Sequence, residues 1–131
     1  KKEKKQVVAL KYFATGKIND EEYQILIKDR AYGFSTFMSY YILKAVASYD
    51  KKAAIEMMKE YYGAMLDKGA TTFWEDFDIE WVKGSCKVDE FPKAGEKDIH
   101  GDFGAFCYKG FRHSLCHGWS AGVIQFIKEE C

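Results

Sequence analysis

Residues 34–48 constrain the fold more than any other stretch of the chain. Phe34, Phe37, Met38, Tyr41, Ile42, Ala45, Val46 and Tyr49 recur at i, i+3, i+4 and i+7 spacing, which gathers them on one face of a helix. Tyr40, Leu43 and Ala47 make the opposite side apolar as well. A helix with no polar face has to bury its whole circumference and needs neighbours on both sides. The segment is therefore expected to be an inner helix of a layered helical array.

The flanking segments supply such neighbours. Val7, Val8, Leu10, Tyr12 and Phe13 form an apolar cluster that stops at Gly16. Its length suits helix or strand, and in a helical array a helix over about residues 6–15 is expected. Asn19 with Glu22 three residues later has the form of a capping box ahead of Tyr23, Ile25, Leu26 and Ile27, predicting a helix over 20–30. Asp50 can cap a further helix over 51–67. There Ala54, Met57, Met58, Tyr61, Ala64 and Met65 form one stripe, and Lys51, Lys52, Glu56, Lys59 and Glu60 the other, so this helix is an outer one ending near Gly69. Ser114 is the expected N-cap of a last helix over 115–129, with Leu115, Trp119, Val123, Phe126 and Ile127 on its apolar face.

Between residues 70 and 113 the helical period fails. The stretch carries Gly84, Gly95, Gly101, Gly104, Gly110 and the single proline, Pro92. Loops longer than about 12–15 residues are uncommon unless they are functional or disordered. Phe73, Trp74, Phe77, Trp81, Phe91, Phe103, Phe106, Tyr108 and Phe111 argue against disorder, so an ordered loop covering a site is expected, with room for a short hairpin.

Composition narrows the function classes. The 131 residues are 47% hydrophobic and 17% aromatic, enough apolar material for one domain with a sizeable core. Lys+Arg 20 balances Asp+Glu 20, so no net field attracts nucleic acid or an anionic membrane. The charge run Lys1–Lys5 reads as a solvated end. No apolar stretch reaches the roughly 18 residues that cross a bilayer, and no apolar run follows the first lysines to make a signal peptide, so a soluble chain is expected. Cys86, Cys107, Cys116 and Cys131 contain no C-x-x-C pair and make no disulfide scaffold, which leaves the redox compartment open.

Two segments that flank the loop carry chemistry. Gly69-Ala70-Thr71-Thr72-Phe73-Trp74-Glu75 places a carboxylate just past a helix end, beside two aromatics and two hydroxyls. Ser114-Leu115-Cys116-His117-Gly118-Trp119-Ser120-Ala121-Gly122 places an imidazole among small residues that leave room for a ligand. Each has a bland alternative, since a carboxylate after a helix is more often structural and tryptophans are as often core as site. A carboxylate, an imidazole and tryptophans at one mouth nevertheless suit sugar recognition, where rings stack on apolar faces and polar groups hold hydroxyls.

Together these strings resemble the paired signature of bacterial α-L-rhamnosidases of glycoside hydrolase family 78. The intervening Asp98-Ile99-His100-Gly101-Asp102-Phe103-Gly104 and Tyr108-Lys109-Gly110-Phe111-Arg112-His113 are similar to the family as well, and the resemblance spans roughly residues 20–128. It implies an all-α fold, an (α/α)6 toroid of six helix pairs, of which this chain is a partial one. It also implies an inverting mechanism that removes terminal α-L-rhamnose from glycosides or polysaccharides, with no cofactor and no metal. By position in the motif, Glu75 matches the general base and His117 a histidine that contacts the sugar. Rhamnose is a 6-deoxy sugar whose methyl group favours an apolar wall, for which Trp74 and Trp119 are the candidates.

The chain departs from the family in two respects. The family's general acid lies in an earlier acidic motif that nothing here matches, and Asp76, Asp78 and Glu80 follow the base too closely to replace it. Twelve helices of roughly 12 residues with connections of roughly 4 need about 190 residues, so 131 do not close a toroid. The fragment is expected to be inactive alone and to form a homo-oligomer through its exposed inner faces. Two rivals remain. One is a non-catalytic helical module binding carbohydrate or protein through the aromatic loop. The other is a zinc site from Cys107, His113, Cys116 and His117, whose spacing matches no common zinc motif.

Overall fold

The computed structural model describes residues 2–91, 93, 98–100 and 114–131. Five α-helices and two 3-10 turns make up the regular structure of these residues, with no strand among them. The fold is all-α, as expected, and no helix among the described residues is long and apolar enough to cross a membrane.

The helix apolar on both sides is central. α3 (Ser39–Ala47) packs against α1 (Lys2–Thr15), α2 (Asp20–Ile27), α4 (Lys51–Asp67) and α5 (Gly122–Glu130). Ile42, Leu43, Ala45 and Val46 are fully buried along one side of the helix, and Tyr40, Tyr41, Lys44 and Ala47 on the other side are half-buried. α4 is an outer helix of the expected extent. It buries Ala54, Met57, Tyr61 and Met65, and its N-cap Asp50 accepts from the Ala53 N–H at 3.0 Å.

Helix ends show where local signals were overridden. α1 begins at Lys2, ahead of residue 6, and carries Val8 and Ala9 into the core. The capping box of α2 forms as read: Asn19 Oδ1 accepts from the Glu22 N–H at 2.8 Å, and Glu22 Oε2 accepts from the Asn19 N–H at 3.0 Å. That helix stops at Ile27, three residues early, because Asp29 and Arg30 take positive φ values of 56° and 50° that no right-handed helix accommodates. α3 begins at Ser39, not residue 34. In the turns before it, Ser35 Oγ accepts from the Met38 N–H at 3.2 Å and the Ser39 hydroxyl donates to the Thr36 carbonyl at 3.1 Å, so side chains take up groups a helix would have paired.

The last helix is also shorter than its pattern suggests. α5 begins at Gly122, and Ser114 is not its cap. The Ser114 hydroxyl instead accepts from the Cys116 N–H at 3.0 Å and donates to the Cys116 carbonyl at 2.8 Å, which closes a local turn. A 3-10 turn, Gly118–Ser120, then leads into α5. Gly122 is required there, because a Cβ would lie 2.7 Å from Tyr40 Cβ on α3.

The described part of the long loop is ordered and folds back over α4. Trp74, Phe77 and Trp81 are buried, and the Tyr61 hydroxyl donates to the Phe77 carbonyl at 2.6 Å inside the core. A 3-10 turn, Ile79–Val82, follows, capped by Asp78. No hairpin occurs among the described residues, and the expectations for Phe103, Phe106, Tyr108 and Phe111 fall outside them.

Candidate functional site

The chain leaves α4 through Gly69, whose φ of +92° is the left-handed conformation a helix C-terminus favours. It then runs beside the segment that precedes α5. The Glu75 N–H donates to the Ser114 carbonyl at 2.8 Å, and the His117 N–H donates to the Phe73 carbonyl at 2.6 Å. The Thr72 hydroxyl donates to the Leu115 carbonyl and the Ser120 hydroxyl to the Trp74 carbonyl. The two motif segments, about forty residues apart in sequence, are therefore laced together by backbone and hydroxyl groups.

Glu75 sits at the middle of this lacing. Its side chain is half-buried, and Oε2 accepts from the Ser114 N–H at 2.7 Å. Its own carbonyl accepts from the Thr36 hydroxyl at 2.5 Å and from the Trp119 indole N–H at 2.7 Å. The backbone of Glu75 is thus pinned from three sides, and one carboxylate oxygen is oriented by an amide. Among the described residues Oε1 takes part in no hydrogen bond.

His117 is half-buried and caps the 3-10 turn, its Nδ1 accepting from the Trp119 N–H at 3.4 Å. A neutral imidazole that accepts at Nδ1 carries its proton on Nε2 and can donate it to a ligand. The His117 and Trp119 rings lie 4.7 Å apart, and Trp119 is 50% exposed and 5.7 Å from Phe37. Trp119 and Phe37 form an aromatic ledge next to Glu75.

Trp74 belongs elsewhere. It is 1% exposed and packs edge-on against Phe77 at 5.5 Å, so its indole serves the core and has no open face for a sugar. Phe37, counted from the sequence only as a member of a buried stripe, is 44% exposed and joins the ledge. No sequence signal separated these two aromatics, because both occur in strings rich in aromatic residues. Asp76 and Asp78 serve the local chain: Asp76 Oδ1 accepts from the Phe77 N–H at 2.9 Å, and Asp78 Oδ1 from the Glu80 N–H at 3.0 Å.

A groove of about 410 Å³ opens between α4 and α5, lined by Met58, Tyr62, Leu66, Phe73, Val123 and Ile127 among others. It is almost wholly apolar and does not include Glu75, His117 or Trp119, so it adjoins the laced segments without being the place where polar chemistry converges. Burial pushes the Tyr62 phenol up to about 12, against a smaller downward pull from its Ser39 partner, and it stays protonated at neutral pH.

Of the zinc-site candidates, Cys116 is exposed and His117 half-buried, while Cys107 and His113 lie outside the described residues. A different set of donors does converge. Cys86, Asp98 and His100 bring one ligand atom each to within 4.8 Å of one another, a cluster that reading by spacing missed because twelve residues separate Cys86 from Asp98. Comparison of the chain with profiles of protein families, with curated proteins and with solved structures gives no match.

Proposed function

We propose that the chain supplies the general-base side of an inverting glycoside hydrolase resembling α-L-rhamnosidase, releasing terminal rhamnose from glycosides or polysaccharides. The observation that carries this reading is the lacing of Phe73–Glu75 to Ser114–His117, which brings a carboxylate, an imidazole and an exposed indole to one edge of the helical array.

Inverting hydrolysis requires a carboxylate that takes a proton from water on the face of the sugar opposite the leaving group. A base held through one oxygen and presenting the other suits that task, and Glu75 has this arrangement. Water bound at Oε1 would give up its proton as its oxygen attacks the anomeric carbon, while an acid across the sugar protonates the departing oxygen. His117 donates from Nε2 to a sugar hydroxyl. Trp119, with Phe37 behind it, offers the apolar wall for the 6-methyl group. In this reading the remaining helix pairs of an (α/α)6 toroid, and the general acid, lie in sequence outside these 131 residues. The apolar groove between α4 and α5 is where such neighbours, or a second copy of the chain, would pack.

A non-catalytic carbohydrate- or protein-binding module is the second reading. It is favoured by the same Glu75–Ser114 bond, which gives the carboxylate a structural task whether or not it also acts as a base.

The deciding experiment joins the chain to its upstream sequence and measures hydrolysis of an aryl α-L-rhamnoside, following the anomeric proton by NMR. Turnover with inversion, reduced by about 10²–10⁴-fold in Glu75→Gln with sugar binding retained, is the expected result. Unchanged turnover in Glu75→Gln removes the base assignment, and binding without turnover in the unmodified protein selects the module.

A further inference from the structure

Cys86 follows the 3-10 turn at Ile79–Val82, and Asp98 and His100 return to it from the far side of the loop. The Cys86 N–H donates to Asp98 Oδ2 at 2.9 Å, which fixes the carboxylate beside the thiol. His100 Nδ1 lies 2.6 Å from Asp98 Oδ1 and 3.7 Å from Cys86 Sγ. On the other side of the ring, Nε2 lies 3.0 Å from the Val88 carbonyl oxygen. A carbonyl can only accept, so Nε2 carries a hydrogen.

The consequence falls on the opposite edge of the imidazole. With Nε2 donating to Val88, Nδ1 faces Asp98 Oδ1 at 2.6 Å. At that spacing the two atoms share a hydrogen bond, and a metal ion would replace it only once they had parted. The Cys86 thiol donates to the Glu90 carbonyl at 3.6 Å and lies 3.7 Å from Nδ1, so sulfur, nitrogen and carboxylate oxygen, a donor set that suits zinc, stand within 4.8 Å of one another. Asp98 and His100 are buried, with 3% and 8% exposure, and Cys86 is half-buried.

We propose that Cys86 Sγ, His100 Nδ1 and Asp98 Oδ1 bind a zinc-type divalent cation, independently of any glycosidase activity. Zn–S of about 2.3 Å and Zn–N and Zn–O of about 2.0–2.1 Å at tetrahedral angles place sulfur about 3.6 Å and oxygen about 3.3 Å from the nitrogen. The sulfur–nitrogen spacing already fits at 3.7 Å, and the carboxylate has to swing outward by less than about 1 Å. The Nε2–H bond to the Val88 carbonyl is the outer-sphere contact that metal-binding histidines ordinarily make.

Binding is written as Cys–SH + His + Asp⁻ + M²⁺ giving the thiolate complex plus one H⁺. Uptake releases the thiol proton and therefore weakens as pH falls. The site closes the loop from Cys86 to His100. Because the Val88 N–H donates to the Lys68 carbonyl at 2.9 Å, a bound ion would also tie that loop to the end of α4, just ahead of the Glu75 segment.

The test is anaerobic titration of the reduced full chain with Co²⁺ alone, followed by absorbance. One equivalent is expected, with an intense near-ultraviolet thiolate-to-metal band and visible bands of a tetrahedral ion, displaced by Zn²⁺. Cys86→Ser should abolish the thiolate band, and Cys116→Ser should leave it unchanged. Asp98→Asn retains the thiol and should keep a thiolate band while weakening binding by more than about 10-fold, so the site is tested even where Cys86→Ser fails to fold. No stoichiometric uptake, or a thiolate band that follows Cys116 instead of Cys86, overturns the proposal.

Discussion

Glu75 and Ser114 are bonded to each other twice. The Glu75 amide donates to the Ser114 carbonyl at 2.8 Å and the Ser114 amide donates back to the Glu75 carboxylate at 2.7 Å. One bond orders the backbone and the other orders the side chain, so the carboxylate has a set direction even though it stands at a half-open edge.

This double bond separates two substitutions at the same position. Glu75→Ala leaves the Ser114 N–H without its acceptor and should cost about 1–3 kcal/mol in stability. Glu75→Gln keeps an oxygen in place and should cost less than about 1 kcal/mol, while losing the charge a base requires. Urea unfolding of both variants checks this, and equal losses would mean that the side-chain bond contributes nothing.

Two glycines should respond to alanine in opposite directions. At Gly122 a Cβ would meet Tyr40 Cβ at 2.7 Å, where α5 crosses the base of a side chain on α3, so Gly122→Ala should lower stability by about 1–3 kcal/mol. At Gly63, inside α4, a Cβ meets nothing within 4 Å, so Gly63→Ala should raise stability by about 0.5–1 kcal/mol through helix propensity. Thermal unfolding gives both signs, and destabilisation at both sites would contradict the packing described for α4.

Lys5 makes stability depend on pH above neutrality. The residue is 5% exposed, and its ammonium donates to the Arg30 carbonyl at 2.5 Å and lies 5.6 Å from the Phe34 ring centre. Burial lowers its pKa to about 8, with Asp29 and Glu60 only partly opposing the shift. In the unfolded chain the group titrates near the ordinary lysine value of about 10.4. Between those values the unfolded chain binds more protons, so stability should rise as pH goes from about 8 to about 10, and the charged form is least favourable to folding below 8. Urea midpoints across that range should climb in the unmodified chain and stay flatter in Lys5→Met. Parallel curves would show that Lys5 is solvated.

Much of the helical plan was legible because its causes are local. The Asn19–Glu22 capping box and the Asp50 cap act within three residues of themselves, and both formed where the residue types indicated. The two-sided apolarity of residues 34–48 required a central helix, and α3 is central. The helix ends went differently where a local turn competed: Ser114 resembles a cap, yet its hydroxyl closes a turn on Cys116 and the helix waits until Gly122.

The chemistry-bearing residues divide in the same way. Residue type and order nominated Glu75, His117, Trp74 and Trp119 together, but only packing could place Trp74 in the core and Trp119 at the edge, since both are tryptophans in aromatic strings. The Cys86, Asp98 and His100 cluster has no periodic or short-range spacing, because it arises when the loop returns on itself.

By itself the amino-acid order determined which segments coil, which faces are apolar and which residue types could do acid–base or ligand chemistry, all properties set within a few residues of chain. The meeting of Glu75 with Ser114, the exposure of Trp119 and the convergence of three donors on one point were decided by tertiary structure. They depend on contacts across twelve to forty residues of chain, and such contacts form only when the helices they connect have packed.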